Sequence, residues 1–368
     1  MRVVYFGSGA FGVPTLRHLS ERHRLVGVVT QPDRPAGRGG RPTPTPVARW
    51  AAEHRPDVPV VRPPKVGEAS VVEQVRGWAA DAWVVIAFGQ KLPARLLEGR
   101  FAVNLHASLL PRWRGAAPIN AAILGGDTHT GNSVITLADR MDAGMVLART
   151  APPVEIPPTM TAGELHDLLA AGGPDLIERV LEEHAAGRLR PEAQDESLVT
   201  IAGKLGRMDD DLDFGHPADF VRRTVHALTP WPGVTVAIVG PGAAGAGGAA
   251  AAGGEGTPSG QATHIKLLRV LAMDRPTIPP TALPTSATAA GAPPGTILDL
   301  AGGVVACGAG RDAGPTAVRL LEVQPPGRRA MAWADFVRGG GRLIAPGSRV
   351  VSARSLAPER ERAGEGRV

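Results

Sequence analysis

The sequence predicts an α/β protein whose first part is a Rossmann-like, mostly parallel sheet and whose second part is built from short strands. Three observations carry that expectation. Short apolar runs alternate with helical stretches as far as about residue 190, the pattern of βαβ units. A chain of 368 residues exceeds what one hydrophobic core usually supports, so two domains are expected. After residue 230 the apolar runs are short and separated by Gly and Pro, which suits a small β-barrel.

Taken in order, residues 2 to 6 read as a strand and 13 to 22 as a helix. Between them, Gly7-Ser8-Gly9-Ala10-Phe11-Gly12 matches G-x-G-x-x-G, which taken alone says dinucleotide binding. The next strand, Leu25 to Thr30, should then end in an acidic residue for the ribose. It ends in Thr30-Gln31-Pro32, and Asp33 comes past the usual position, which weighs against a nicotinamide cofactor. The alternative is a tight strand-to-helix turn that needs glycine. Residues 31 to 46 form a long loop with no apolar periodicity and three arginines, Arg34, Arg38 and Arg41. Such loops are usually functional or disordered.

Residues 47 to 55 read as a helix, 58 to 61 as a short strand and 68 to 80 as a helix. Ala82 to Ala87 is a near-continuous apolar run, as expected of a strand covered on both faces. Ala102-Val103 ends another apolar run and leads into Asn104 to Gly115, before a helix over 116 to 124. In a strand, side chains at i and i+2 share a face, so Asn104 and His106 project together. Open α/β sheets place their ligands at such strand ends. An amide beside an imidazole suits acyl transfer: one donates to a carbonyl oxygen that gains charge, and the other donates or moves a proton.

Residues 132 to 138 read as a strand, and Arg140-Met141-Asp142-Ala143-Gly144 as a loop. An isolated Asp-x-Gly is commonly a turn aspartate that bonds its own backbone. His129 reads as an exposed turn residue. A single helical segment is expected over 161 to 188, with apolar residues at 165, 168, 169, 176, 177 and 180. The first domain is placed at 1–190, a linker at 191–208 and a second domain at 209–350, with 351–368 as a flexible tail. The second domain opens with a helix at 217 to 228 and a rigid turn, Thr229-Pro230-Trp231-Pro232-Gly233, in which a buried tryptophan is expected. Strands follow at 234 to 239, 264 to 272, 296 to 300, 303 to 307 and 316 to 323. The Gly/Ala-rich stretch 240–262 and the Pro/Thr-rich stretch 276–294 cannot bury enough apolar surface to order themselves, and read as insertions.

The net charge of +5 lies mostly in the second half and permits a polyanion partner without demanding one. Only four of the 40 basic residues are lysine, so arginine abundance looks like a coding bias. No apolar run reaches the roughly 18 residues of a membrane span, and residues 1 to 7 enter a strand without a signal peptide's apolar core. The single cysteine, Cys307, excludes an internal disulfide framework and a multi-cysteine zinc site. A cytoplasmic protein is expected.

The pattern Asn-x-His-x-Ser-Leu-Leu-Pro-x-x-Arg-Gly over 104 to 115 resembles the signature of the folate-dependent formyltransferases. That resemblance covers roughly residues 1 to 340, apart from the two insertions. It implies 10-formyltetrahydrofolate as formyl donor and co-substrate, no metal, and Asn104, His106 and Asp142 as the catalytic residues. It implies that Ile86, Phe88 and Gly89, with Ser108, Leu109, Leu110 and Pro111, line the pterin site. The stretch Gln31 to Gly39 is similar to a loop that engages the acceptor end of tRNA in members acting on charged initiator tRNA. Arg34, Arg38 and Arg41 then become tRNA contacts, although Gly40-Arg41 stands where relatives often carry consecutive lysines. Gln194 and Lys204 resemble the connector of these members, and Leu320 to Met331 a C-terminal segment in which Arg328 and Arg329 are candidate phosphate contacts. The second domain is then expected to be an OB-like tRNA-binding barrel, and the acceptor to be the amino group of methionine on initiator tRNA. A monomer is expected. The rival readings are formyl transfer to a purine precursor or to a nucleotide-linked amino sugar, and a binding protein with a dead site.

Overall fold

The structure is a computed structural model that describes residues 1–36, 40–240, 262–273, 292–310, 314–340, 344–345 and 347–356. The chain divides into two compact units. The first holds Met1–Ala122, Thr128–Ile156 and Glu164–Lys204, and the second holds Ile123–Asp127, Pro157–Gly163 and the chain from Leu205 onward.

In the first unit a seven-stranded sheet runs in the order Val146–Arg149, Ser133–Thr136, Ala102–His106, Ala82–Ile86, Arg2–Gly7, Arg24–Val29, Val60–Val61. The last five strands of that order are mutually parallel. The Ser133–Thr136 strand is antiparallel to Ala102–His106, and Val146–Arg149 is antiparallel to it in turn. The expected mostly parallel sheet is therefore mixed at one edge. A short connection through the Asp142 loop replaces the helical crossover that a parallel pair requires. The Ala82–Ile86 strand is buried at every residue, because neighbours cover both faces. Phe6, Trp83 and Phe88 pack together there, with ring centroids 5.3 Å (Phe6–Trp83) and 5.7 Å (Phe6–Phe88) apart.

The helices form where sequence signals place them. Val13–Arg22 and Pro46–His54 both carry proline in the first turn, where the missing N–H costs nothing. Thr45 caps the second, its Oγ accepting from the Ala48 N–H at 3.0 Å. The expected single helix over 161 to 188 is two, Ala162–Ala171 and Gly173–Ala185. Pro174 cannot continue a helix but can start one. Within the first of these, Leu168 is exposed while Leu165 and Leu169 are buried. Within the expected loop 31–46, Arg34–Ala36 and Arg41–Thr43 pair as short antiparallel strands.

The second unit is a curled antiparallel sheet in the order Ile297–Asp299, Val304–Ala309, Pro315–Gln324, Thr263–Met273, Val234–Val239, Arg349–Ser352. A bridge between Thr296 and Arg349 links its two outer strands. Its core joins Val221 and Val225 of the helix Ala218–Ala227 to Val236, Ile265, Val318, Trp333 and Phe336. The helix Trp333–Gly340 and the strand Arg349–Ser352 are not expected from the sequence; the strand pairs along Val234–Val239. Trp231 is not buried: it is 57% exposed at the tip of the Pro-Trp-Pro-Gly turn. The segment expected as a linker is bonded into the first unit as far as Lys204. Arg38, most of the two insertions and the tail beyond 356 lie outside the described residues. No helix among the described residues is long and apolar enough to cross a membrane.

Candidate active site

The site is built on the end of the Ala102–His106 strand. Val103 and Leu105 are buried and anchor it, which leaves Asn104 and His106 on the opposite face. Asn104 is half-buried, and its side chain makes no hydrogen bond among the described residues. His106 is 6% exposed. Its Nε2 lies 2.8 Å from the Trp113 carbonyl oxygen. A carbonyl only accepts, so Nε2 carries the hydrogen and donates. Nδ1 is then the nitrogen that gains or loses a proton, and it faces Asp142 Oδ2 at 3.6 Å.

Asp142 reaches that position through an unusual backbone. Its φ is +53°, in the left-handed region that few side chains other than Asp and Asn enter. The Gly115 N–H donates to Asp142 Oδ2 at 2.9 Å. A Cβ on Gly144 would come within 1.7 Å of the Thr136 carbonyl oxygen, so only glycine lets the loop lie this close to the strand end. Gly115 is equally constrained: its φ is +124° and a Cβ there would meet the Ala202 carbonyl oxygen at 2.3 Å.

Behind the loop sits a network that sequence reasoning did not foresee. Gln194 Nε2 donates to the carbonyl oxygens of Asp142 at 2.7 Å and of Gly144 at 2.8 Å. Arg114 is only 3% exposed, and its Nε donates to Gln194 Oε1 at 2.9 Å. Its Nη2 pairs with Glu196 at 2.8 Å, and Glu196 also holds Arg140 at 2.6 Å. The hydrogen bonds from Arg114 and then Arg140 hold the Glu196 carboxyl down at about 2. Arg114 and Gln194 were visible only as letters of two separate motifs; 80 residues of sequence hide their contact.

The residues expected to line a pterin site fall into two groups. Ile86, Phe88, Ser108 and Leu110 are buried. The Ser108 hydroxyl donates to the Arg112 carbonyl at 2.6 Å and closes the turn, so it is not presented to a ligand. Leu109 and Pro111 are half-buried. Gly89 has a φ of +81°, and the Phe88 carbonyl before it accepts from Ser8 Oγ and Gln31 Nε2, both at 3.1 Å.

The G-x-G-x-x-G stretch is explained by packing. A Cβ on Gly12 would lie 1.9 Å from the Tyr5 hydroxyl, which itself donates to the Gly12 carbonyl at 3.0 Å. Burial pushes the Tyr5 hydroxyl pKa well above its ordinary value. The glycines let the first helix sit against a buried tyrosine.

Of the basic residues expected at a nucleic acid, Arg34 and Arg41 are exposed on their short strand pair, and Arg34 Nη2 donates to Gln31 Oε1 at 2.9 Å. Arg328 and Arg329 are exposed on a turn of the second unit. His129 is exposed, on a two-residue strand rather than a turn.

The chain is similar over most of its length to known proteins. Residues 1–181 match the model of the formyl transferase family. The chain is 38% identical over 341 residues to a methionyl-tRNA formyltransferase of Methylococcus capsulatus, covering 92% of this chain and 96% of that one. It is 46% identical over 240 residues to one of Halorhodospira halophila, covering 64% and 76%. Two solved structures share the fold alone. A sugar 3N-formyl transferase, WlaRD, crystallised with dTDP and 5-N-formyl-THF, matches with a TM-score of 0.56 at 9% identity, covering 89% of this chain and 99% of that one. HypX from Aquifex aeolicus in complex with tetrahydrofolic acid matches with a TM-score of 0.54 at 16% identity, covering 92% of this chain and 47% of that one. On the near full-length identity to the curated relatives, the chain belongs to the methionyl-tRNA formyltransferase family.

Proposed function

We propose that this enzyme transfers the formyl group of 10-formyltetrahydrofolate to the amino group of methionine on initiator tRNA, giving N-formylmethionyl-tRNA. The observation that carries the chemistry is the meeting of His106 Nδ1 and Asp142 at the strand end that also carries Asn104. Both partners are substrates. The methionine nitrogen attacks the formyl carbon, a new N–C bond forms, and the bond from that carbon to the folate nitrogen breaks. While the carbon is tetrahedral its oxygen carries negative charge. The Asn104 amide, unbonded among the described residues, is placed to donate to that oxygen. His106 takes the proton that the amine loses and returns one to the departing folate nitrogen, through the Nδ1 that its Trp113 bond leaves available. Asp142 sets the ring's orientation and stabilises its protonated form by direct charge.

In this reading the Phe88–Gly89 and Leu109–Pro111 segments flank the pterin, with Ser108 acting as a turn lock. The exposed arginines Arg34 and Arg41, with Arg38 between them in sequence, and Arg328 and Arg329 in the second unit, neutralise tRNA phosphates. We read the second unit as an OB-like barrel on the strength of its strand order and the Thr296–Arg349 bridge. The catalytic domain spans 1–190 and the RNA-binding domain 209–350. The protein works as a cytoplasmic monomer. The deciding experiment supplies the formyl donor with charged initiator tRNA, free methionine or a purine-precursor amine. Formylation of the charged tRNA alone is expected; preference for either other amine overturns the acceptor.

A further inference from the structure

We propose that Gln194, oriented by the buried Arg114, is a positioning residue that holds the Asp142 loop in the backbone conformation that sets its carboxylate against His106. The inference rests on the roles proposed above for His106 and Asp142.

The loop has reason to move. The left-handed conformation at Asp142 persists only where surroundings impose it. An aspartate on a solvated turn relaxes by bonding its own backbone. Here, however, the carboxylate is engaged elsewhere and the backbone is held from outside the loop. Asp142 Oδ2 receives the Gly115 N–H, and the carbonyl oxygens of Asp142 and Gly144 both receive Gln194 Nε2. One side-chain NH2 thus spans both ends of the Asp142–Gly144 turn.

The chemistry of the site admits few substitutes for glutamine. The atom facing two carbonyls must be a donor, and the atom facing a guanidinium must be an acceptor. Only a side-chain amide offers two N–H groups on one side and an oxygen on the other. Arg114 fixes which way the amide lies, because its Nε–H lies 2.9 Å from Oε1. Glu196 holds the far end of the guanidinium at 2.8 Å, and Arg140, at the start of the same loop, meets Glu196 from the other side. Arg114 and Gly115 therefore grip the loop twice, through Gln194 on its backbone and through an N–H on its carboxylate. A glutamate at 194 would pair with Arg114 but repel both carbonyls. A methionine would fill the space and bond nothing.

A plain structural role would cost stability and leave turnover by the folded fraction intact. A positioning role predicts a different pattern, because small misplacements of a catalytic group lower the rate while leaving substrate binding alone. Gln194→Met is expected to lower kcat about 10- to 100-fold, with KM for folate and for charged tRNA within about twofold of wild type. In the Asp142→Asn background the same substitution should cost nothing further, since residues acting through one group are not additive. Arg114→Lys, which keeps the charge facing Glu196 but loses the rigid fork, should lower kcat in the same way and serves if Gln194→Met does not fold. Wild-type kcat in Gln194→Met, or equal fractional losses with and without Asp142→Asn, overturns the proposal. If Asp142→Asn alone keeps near-normal turnover, the catalytic reading falls and takes this inference with it. If Asp142→Asn is crippled and Gln194→Met is not, only the inference falls.

Discussion

Replacing His106 by alanine tests the centre of the reading. The imidazole is 6% exposed and uses one nitrogen on the Trp113 carbonyl at 2.8 Å. Its loss removes that bond, a cost of about 0.5–1.5 kcal/mol. Asp142 keeps its bond from the Gly115 N–H and is 14% exposed at the side chain, so its charge is not stranded. The fold should therefore survive with a lowered Tm. Catalysis should fare worse. Loss of general acid–base help costs about 100- to 10,000-fold. The ring moves both protons in the proposed reaction, so a fall in kcat of at least about 100-fold is expected. The assay is formylation of methionyl initiator tRNA at saturating donor, on protein shown to be folded by circular dichroism. Turnover within about tenfold of wild type on folded protein would remove His106 from the chemistry.

Further outcomes follow from the same geometry. Asn104→Ala should lower kcat about 100- to 1000-fold while leaving Tm almost unchanged, because the amide bonds nothing among the described residues; a large Tm loss in calorimetry would mean the amide is structural. The affinity for charged tRNA should fall linearly in a log–log plot against salt, and Arg38→Ala and Arg41→Ala should each reduce the slope by about one; an unaltered slope would take the basic loop out of the interface. The Glu196 carboxyl is held at about 2 in the folded protein, below its ordinary value, so its pairing stabilises above that ordinary value and is lost as the pH falls toward 2. The Tm advantage of wild type over Glu196→Gln should accordingly be present at neutral pH and vanish between pH 4.5 and about 2; a constant difference would show that the charge is irrelevant. Leu105→Ala, under the site strand, should cost about 2–5 kcal/mol by denaturant titration.

Much of the first unit could be read without coordinates because its signals are local. The run Ala82 to Ile86 is apolar at every position, and a strand covered on both faces has to be. Val13–Arg22 begins at a proline and a glycine turn. The misreadings have equally local causes. The 161–188 segment keeps an apolar pattern across Pro174, and periodicity alone does not reveal where the phase resets. Trp231 was expected to be buried because tryptophan usually is, yet it sits at the tip of a turn. The strand Arg349–Ser352 is short, and its pairing partner lies 110 residues earlier at Val239.

By itself, then, the sequence determined the order of strands and helices in the first half, and the pairing of an amide with an imidazole two residues apart on one strand. Those features depend on neighbours along the chain. Only the tertiary structure decided that Asp142 faces His106, that Nε2 is engaged by a carbonyl and Nδ1 is turned toward the carboxylate, and that Arg114 and Gln194 stand behind the loop. Each of these is a contact between side chains or carbonyls brought together by folding, and hydrogen-bond direction can be assigned only once the partner atoms are in place.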